Sequence, residues 1–232
     1  MKLSIIIPSY REEENLKILL PYLRSEIERD DEIIVVESCT EMEITFDSLS
    51  WKILRSEKKC RAYQMNKGAG EAGGDCFYFV HADTVPPEGF RKDISQAIQQ
   101  GHFYGCYPSR FDSGKWYFKM SAFATKFRFL FFRGGDQSLF ITRNFFEKLN
   151  GFNEYYTIME EYDLFKRARV IAPVHIMKHR KILVSSRKFY DNSYLKVNWA
   201  NLVAVIMFIK GKPPDVIRQR YASMVRQRID RY

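Results

Sequence analysis

Apolar and polar positions alternate in blocks through the first hundred residues. Four short runs, Leu3–Ile7, Glu32–Glu37, Trp51–Leu54 and Cys76–Val80, are rich in β-branched or aromatic side chains and bounded by charged or turn residues. Such runs predict strands buried on both faces, as in a parallel sheet. Between the first two, Leu16, Leu19, Leu20, Leu23 and Ile27 recur at helical spacing, which predicts an amphipathic helix over Glu13–Arg29. Residues 60–72 and 88–100 are further helix candidates. The β-α-β alternation predicts a doubly wound α/β sheet, whose ligands sit at the carboxyl ends of the strands. That rule gathers Pro8–Glu12, Glu37–Thr40 and His81–Thr84 around one crevice.

The second half is more mixed. Ser138–Thr142 reads as a strand and Arg143–Leu149 as a helix stopped by Gly151. A helix over Thr157–Val170 is followed by strand-like Val174–Met177 and Ile182–Ser185. Tyr194–Ile209 and Pro214–Ile229 read as two closing helices around Gly211-Lys212-Pro213. There is no internal repeat and no low-complexity linker. The expected organisation is one α/β domain over 1–190, with a helical C-terminal extension over 191–232 packed on it.

Composition changes the picture only at a few points. The chain has 232 residues, 46% hydrophobic and 16% aromatic, with 12 Gly and 8 Pro, which supplies a real core and excludes disordered or collagen-like classes. The apolar stretch after Met1 is too short for a secretory signal. The run Leu202–Ile209 is eight residues, against roughly 20 needed to cross a bilayer. A soluble, cytoplasmic protein is expected. Cysteines at 39, 60, 76 and 106 include no CxxC pair, so neither a zinc ribbon nor a disulfide framework is indicated.

Charge is more informative. The 37 Lys and Arg against 28 Asp and Glu give a net +9, but residues 1–50 carry 5 basic and 12 acidic side chains, a net of −7, which leaves +16 for residues 51–232. Between Lys166 and Tyr190 stand eight Lys or Arg and no acid. From Lys210 to Tyr232 there are seven basic residues against two acidic. This asymmetry points to an anionic partner: a nucleotide phosphate, an anionic lipid surface or nucleic acid.

Several crevice residues suit the first of these. Pro8-Ser9-Tyr10 offers exposed backbone and an aromatic face for a base, and Glu37 can accept hydrogen bonds from a base or ribose. Arg61, beside Lys58 and Lys59 at a helix start, can reach a diphosphate. Asp83 at the fourth strand end can hold Mg2+ or Mn2+ bridging two phosphates. Each of these residues also has an ordinary structural role open to it; their convergence on strand ends is the signal.

The stretches SIIIPSYREEENL (4–16), EIIVVESCT (32–40), CRAYQMNKGAGEAGGDCFYFVHADTVPPEGF (60–90), GGDQSLFITRNFFEKLNGFNE (134–154) and MEEYDL (159–164) carry a resemblance. With them the chain resembles the family 2 glycosyltransferases of GT-A fold, and within these a bacterial subgroup labelled arsenosugar-biosynthesis glycosyltransferases. The resemblance implies a mixed, mainly parallel sheet flanked by helices, and an inverting, metal-assisted transfer of sugar from a nucleotide-diphosphate donor (UDP- or GDP-sugar) to a hydroxyl acceptor. By position, Pro8, Tyr10, Glu12, Glu37, Arg61, Asp83 and Arg187 would bind the donor nucleotide, and Gly135, Asp136 and Gln137 the acceptor. Asp83 matches the retained member of the family's Asp-x-Asp metal motif, with His81 in place of the first Asp as a second candidate ligand for Mn2+ or Mg2+. The general base corresponds to Glu161, supported by Glu160. The usual pair is Glu-Asp, so Glu161 reaches roughly 1–1.5 Å further than the expected Asp. Asp163 stands three residues beyond Glu160 and can share its face of the helix.

Other classes compete. A sugar-phosphate nucleotidyltransferase would carry a Gly-rich basic loop after the first strand, where this chain has acidic Arg11-Glu12-Glu13-Glu14 without glycine. A basic nucleic-acid module lacks any RNP, helix-turn-helix or zinc signature, so no nucleic acid is expected. Trp199–Ile209 with Lys196, Lys210 and Lys212 can form an interfacial helix, giving peripheral contact with an anionic membrane on the cytoplasmic face. A transferase relic that binds nucleotide without turnover is the reading that the His81 and Glu161 departures motivate.

Overall fold

A computed structural model describes residues 1–38, 51–113, 115–118, 125, 137–186, 189 and 192–225. Four parallel strands, β1 (Leu3–Ser9), β2 (Glu32–Glu37), β3 (Lys52–Arg55) and β4 (Cys76–Phe79), form one half of a seven-stranded sheet. β6 (Tyr104–Cys106), β8 (Leu139–Thr142) and β9 (His175–Ile176) complete it in the order β3-β2-β1-β4-β8-β6-β9. β8 runs antiparallel to β4 and β6, while β9 is parallel to β6, so β8 alone is reversed. The sheet is therefore mixed and mainly parallel, as expected. β5 (Thr84–Val85), β7 (Ser109–Phe111) and β10 (Ile182–Val184) make a second, three-stranded sheet in the order β5-β10-β7.

Strand periodicity divides the core into two layers. Leu3, Ile5 and Ile7 point to the face covered by α1 (Glu13–Glu26) and α3 (Phe90–Gln99), where Leu16, Leu20, Phe90 and Ile94 are buried. Ile6, Ile34 and Val36 point to the other, covered by α2 (Arg61–Glu71), α4 (Arg143–Lys148) and α5 (Glu160–Ile171) through Ala62, Met65, Phe145, Leu164 and Phe165. Asp31 fastens the first layer: it accepts from Leu3 N at 2.7 Å and from Arg91 Nε of α3 at 2.6 Å. α6 (Tyr194–Ile209) and α7 (Pro214–Met224) pack together, and Ala204, Val205, Phe208 and Ile217 close over Met159.

Several boundaries differ from the expected ones. α1 ends at Glu26 because Ile27 is extended, three residues before Arg29. α5 opens at Glu160 rather than Thr157, because Met159 adopts a left-handed conformation. α7 stops at Met224, where Val225 is extended, rather than at Ile229. The two- and three-residue strands β5, β6 and β7 carry too few residues to show a period, and the second sheet, which β5 and β7 build with β10, was not expected.

α2 lies close enough to β1 and β2 that side-chain size decides its fit. A Cβ at Gly68 would meet Ile6 Cγ2 at 2.5 Å and Val36 Cγ2 at 3.1 Å, whereas one at Gly70 would meet nothing within 4 Å. Gly68→Ala should therefore destabilise the fold by about 1–3 kcal/mol through overpacking. Gly70→Ala should stabilise it by about 0.5–1 kcal/mol through helix propensity. Urea unfolding of both variants checks this pair, and equal shifts of the same sign would contradict it.

Candidate active site

The carboxyl ends of β1, β2 and β4 and the start of α2 line one open cleft. Pro8, Tyr10, Glu12, Arg61, His81 and Asp83 all line it, so six of the residues picked out by position come together. Glu37 is different: it is fully buried, in register with Ser9, and is not part of the cleft wall. The Tyr10 ring is covered by Lys59, whose Nζ sits 3.6 Å from the ring centroid, with the Arg11 guanidinium at 5.5 Å. Lys59 and Ser9 belong to the wall as well. Ser9 Oγ is buried there without a hydrogen-bond partner among the described residues.

α2 holds the cleft open through two amides that sequence reasoning did not single out. Gln64 Nε2 donates to Ser9 O and to Val36 O, both at 2.7 Å, and so spans the carboxyl ends of β1 and β2. Asn66 Nδ2 donates to Phe152 O at 2.9 Å, and its Oδ1 accepts from Phe152 N at 2.9 Å. That pair fixes the Gly151-Phe152 turn leading to α5. The signal was present: Gln64 is a buried amide among Ala62, Met65, Gly68 and Ala69 on the apolar face of α2.

The acidic pair at the start of α5 reaches the cleft from the opposite side. Successive helix residues diverge by about 100°, and the two glutamates accordingly meet different cations. Glu160 Oε1 lies 3.9 Å from Arg61 Nη1, and Glu161 Oε1 lies 3.1 Å from His81 Nε2. Asp163 does not join them, because it takes the Arg167 Nε hydrogen bond at 2.8 Å. Arg167 also donates to the Leu149 and Gly151 carbonyls, tying α5 to the same turn that Asn66 holds.

Burial and pairing push the two carboxyls apart. Burial, the Glu161 charge and only partial relief from Arg61 raise Glu160 from 4.5 to about 7. Burial acts on Glu161 in the same sense, but the His81 hydrogen bond and charge outweigh it and leave Glu161 below its ordinary value. Burial would depress the His81 imidazole, yet the Glu161 hydrogen bond raises it. The pairing thus favours the charged forms of His81 and Glu161 and the neutral form of Glu160 beside them. His81 and Glu161 also border a small apolar recess lined by Met65, Phe79, Leu139 and Phe165.

Backbone strain collects at the same place. Four non-glycine residues have positive φ, and three adjoin the site: Arg11 (54°) after Tyr10, Ser138 (54°) in the recess wall, and Met159 (69°) before Glu160. Gln137 is buried, its Oε1 accepting from Cys106 Sγ at 3.5 Å. Gly135, Asp136 and Arg187 lie outside the described residues.

The side chains do not by themselves fit a resident metal ion. Asp83 borders the cleft, but His81 Nε2 is engaged by Glu161, and no group of three or more His, Cys, Asp or Glu residues is arranged to hold a cation among the described residues.

Comparison with curated proteins gives no match. Among solved structures, a 1–349 fragment of S. aureus TarS in complex with UDP-GlcNAc superposes with a TM-score of 0.67 at 15% identity, over 97% of this chain and 74% of that one. The longer S. aureus TarS gives a TM-score of 0.66 at 16% identity, over 97% of this chain and 43% of that one. The mannosyltransferase PcManGT from Pyrobaculum calidifontis, in complex with GDP-Man and Mn2+, gives 0.61 at 15% identity, over 96% and 69%. At these identities the likeness shows the fold, a mixed α/β architecture of GT-A type. The family model "Glycosyl transferase family 2" matches residues 4–160, from the first residues of β1 to the first acid of α5. The chain belongs to glycosyl transferase family 2.

Proposed function

We propose that the protein transfers a sugar, with inversion, from a nucleotide-diphosphate sugar to a hydroxyl acceptor, with Glu161 as general base. The observation that carries this reading is the convergence of the buried Glu160-Glu161 pair with Arg61 and His81 across the cleft. The nucleotide ligands of the TarS and PcManGT complexes support a nucleotide-sugar donor. The narrower likeness to the arsenosugar-biosynthesis subgroup rests on the 60–90 and 134–154 stretches, and no cleft residue identifies an arsenic-containing acceptor.

The donor's base stacks at Tyr10, where Lys59 now lies, and its diphosphate faces Arg61 and Asp83. A general base must be ionised before the reaction, and His81 keeps Glu161 so. The acceptor hydroxyl gives its proton to the Glu161 carboxylate while its oxygen bonds to the anomeric carbon. The bond from that carbon to the diphosphate oxygen breaks, and the electron pair leaves with the nucleoside diphosphate. Attack opposite the departing group inverts the centre. Arg61 and Lys59 offset the charge that develops on the leaving diphosphate. Asp83 is the carboxylate that a Mn2+ or Mg2+ ion arriving with the donor would use.

A thermal-shift panel of UDP, GDP, CDP, ADP and dTDP with Mn2+ tests the donor site. One nucleotide at 100 times its Kd should add about 2.7 kcal/mol, a rise of several degrees for a chain of this length, and Asp83→Ala should lose most of it. No shift with any nucleotide would refute the donor reading.

Turnover separates the two glutamates. With the sugar donor of the stabilising nucleotide and water as acceptor, Glu161→Gln should lower kcat by about 10²–10⁴-fold with nucleotide binding retained, and Glu160→Gln by less. The reverse order would assign the base to Glu160.

The charge pattern also predicts a pH dependence of stability. A carboxyl raised from 4.5 to about 7 holds its proton more tightly folded than unfolded. Unfolding therefore releases a proton in that window, and stability falls as pH rises through it. Glu160→Gln should flatten the decline of Tm between about pH 4.5 and 7 and raise Tm at pH 8; an unchanged profile would contradict the assignment.

A further inference from the structure

We propose that α6 is the face by which this protein lies on an anionic phospholipid bilayer. Leu195, Trp199, Ile206 and Ile209 are 78%, 59%, 41% and 61% exposed, far more than large apolar side chains on an ordinary packed helix. At 100° per residue these four, with half-buried Leu202 between them, fall within about 80° of arc and run for about 21 Å. The buried residues Val197, Ala200, Ala204 and Phe208 lie on the opposite side. One side of α6 thus packs on the protein and the other presents a continuous apolar stripe. Near the N-terminal end of α6, Tyr117 packs its ring 4.4 Å from that of Tyr194, and its neighbour Trp116 is 70% exposed.

Charge decides the occupant. Lys196 flanks one end of the stripe and Lys210 and Lys212 the other, all exposed, and no acid occurs from residue 192 to 214. α7 adds exposed Arg218 and Arg220. A second copy is a poor fit, since pairing two α6 helices in antiparallel sets Lys196 against Lys210, and in parallel sets each lysine against itself. An acidic lipid surface matches both features, with Trp199 suited to the interface between headgroups and acyl chains. No described helix is long and apolar enough to cross a membrane, so the contact is peripheral. On its packed side α6 meets Met159 and Tyr162, which bracket Glu160-Glu161, so the helix that lies on lipid also braces the acidic pair.

The test is flotation of the full chain with phosphatidylcholine vesicles containing about 30% phosphatidylglycerol, against phosphatidylcholine alone. Vesicle binding needs no nucleotide, so its failure leaves the transfer reading intact. The expected result is binding to the anionic vesicles only, weakened by high salt. It should fall at least tenfold in Leu195→Gln/Trp199→Gln/Ile206→Gln/Ile209→Gln and in Lys196→Gln/Lys210→Gln/Lys212→Gln. The lysine triple variant touches no buried residue and keeps the test open if the apolar variant fails to fold. Absence of binding by the wild type, or binding unchanged in the lysine variant, overturns the proposal. So does a dimer by light scattering that the apolar variant converts to monomer without any vesicle binding.

Discussion

The 3.1 Å contact between His81 and Glu161 is the constraint on which the site depends. It joins the strand side of the cleft, beyond β4, to the helix side, at the start of α5. Both groups are buried, and each favours the charged form of the other. That arrangement keeps one carboxylate ionised in dry surroundings, leaves its neighbour Glu160 to find Arg61, and assigns opposite proton affinities to adjacent side chains of one type.

Secondary contacts keep this pair in register. Gln64 spans the carboxyl ends of β1 and β2, Asn66 grips the Gly151-Phe152 turn, and Arg167 ties that turn back to α5. α2 therefore acts as a ruler between the two halves of the cleft, and the close approach at Gly68 lets it sit deep enough to do so. α6 and α7 finish the assembly by closing over Met159, whose strained backbone starts α5 where the acids are needed.

Much of this was legible in the chain. Continuous runs such as Leu3–Ile7 and Cys76–Val80 announced buried parallel strands, the strand-end rule brought Pro8, Tyr10 and Asp83 to one crevice, and the basic start of α2 pointed to Arg61. β5, β6 and β7 were not legible, since two or three residues cannot show a period, and the reversal of β8 depends on a connection that no local pattern records. Glu37 looked like a cleft acid because it ends a strand, but its side chain is fully buried and is not part of the cleft wall. Gln64 stood out only as an amide on the apolar face of α2, and the roles of Gln64 and Asn66 lie in backbone groups 28 to 86 residues away, which no local pattern records. The His81–Glu161 pair spans 80 positions and is equally a product of tertiary structure.

The central claim is that a nucleotide diphosphate sits between Tyr10 and the Arg61–Asp83 side of the cleft, facing the acidic pair. Crystals grown with the stabilising nucleoside diphosphate test it most directly. The account predicts the diphosphate beside Arg61 and Asp83, with Lys59 displaced from the Tyr10 ring by the base. A nucleotide bound instead on the basic surface around Lys178–Lys181, with the cleft unchanged, would contradict it.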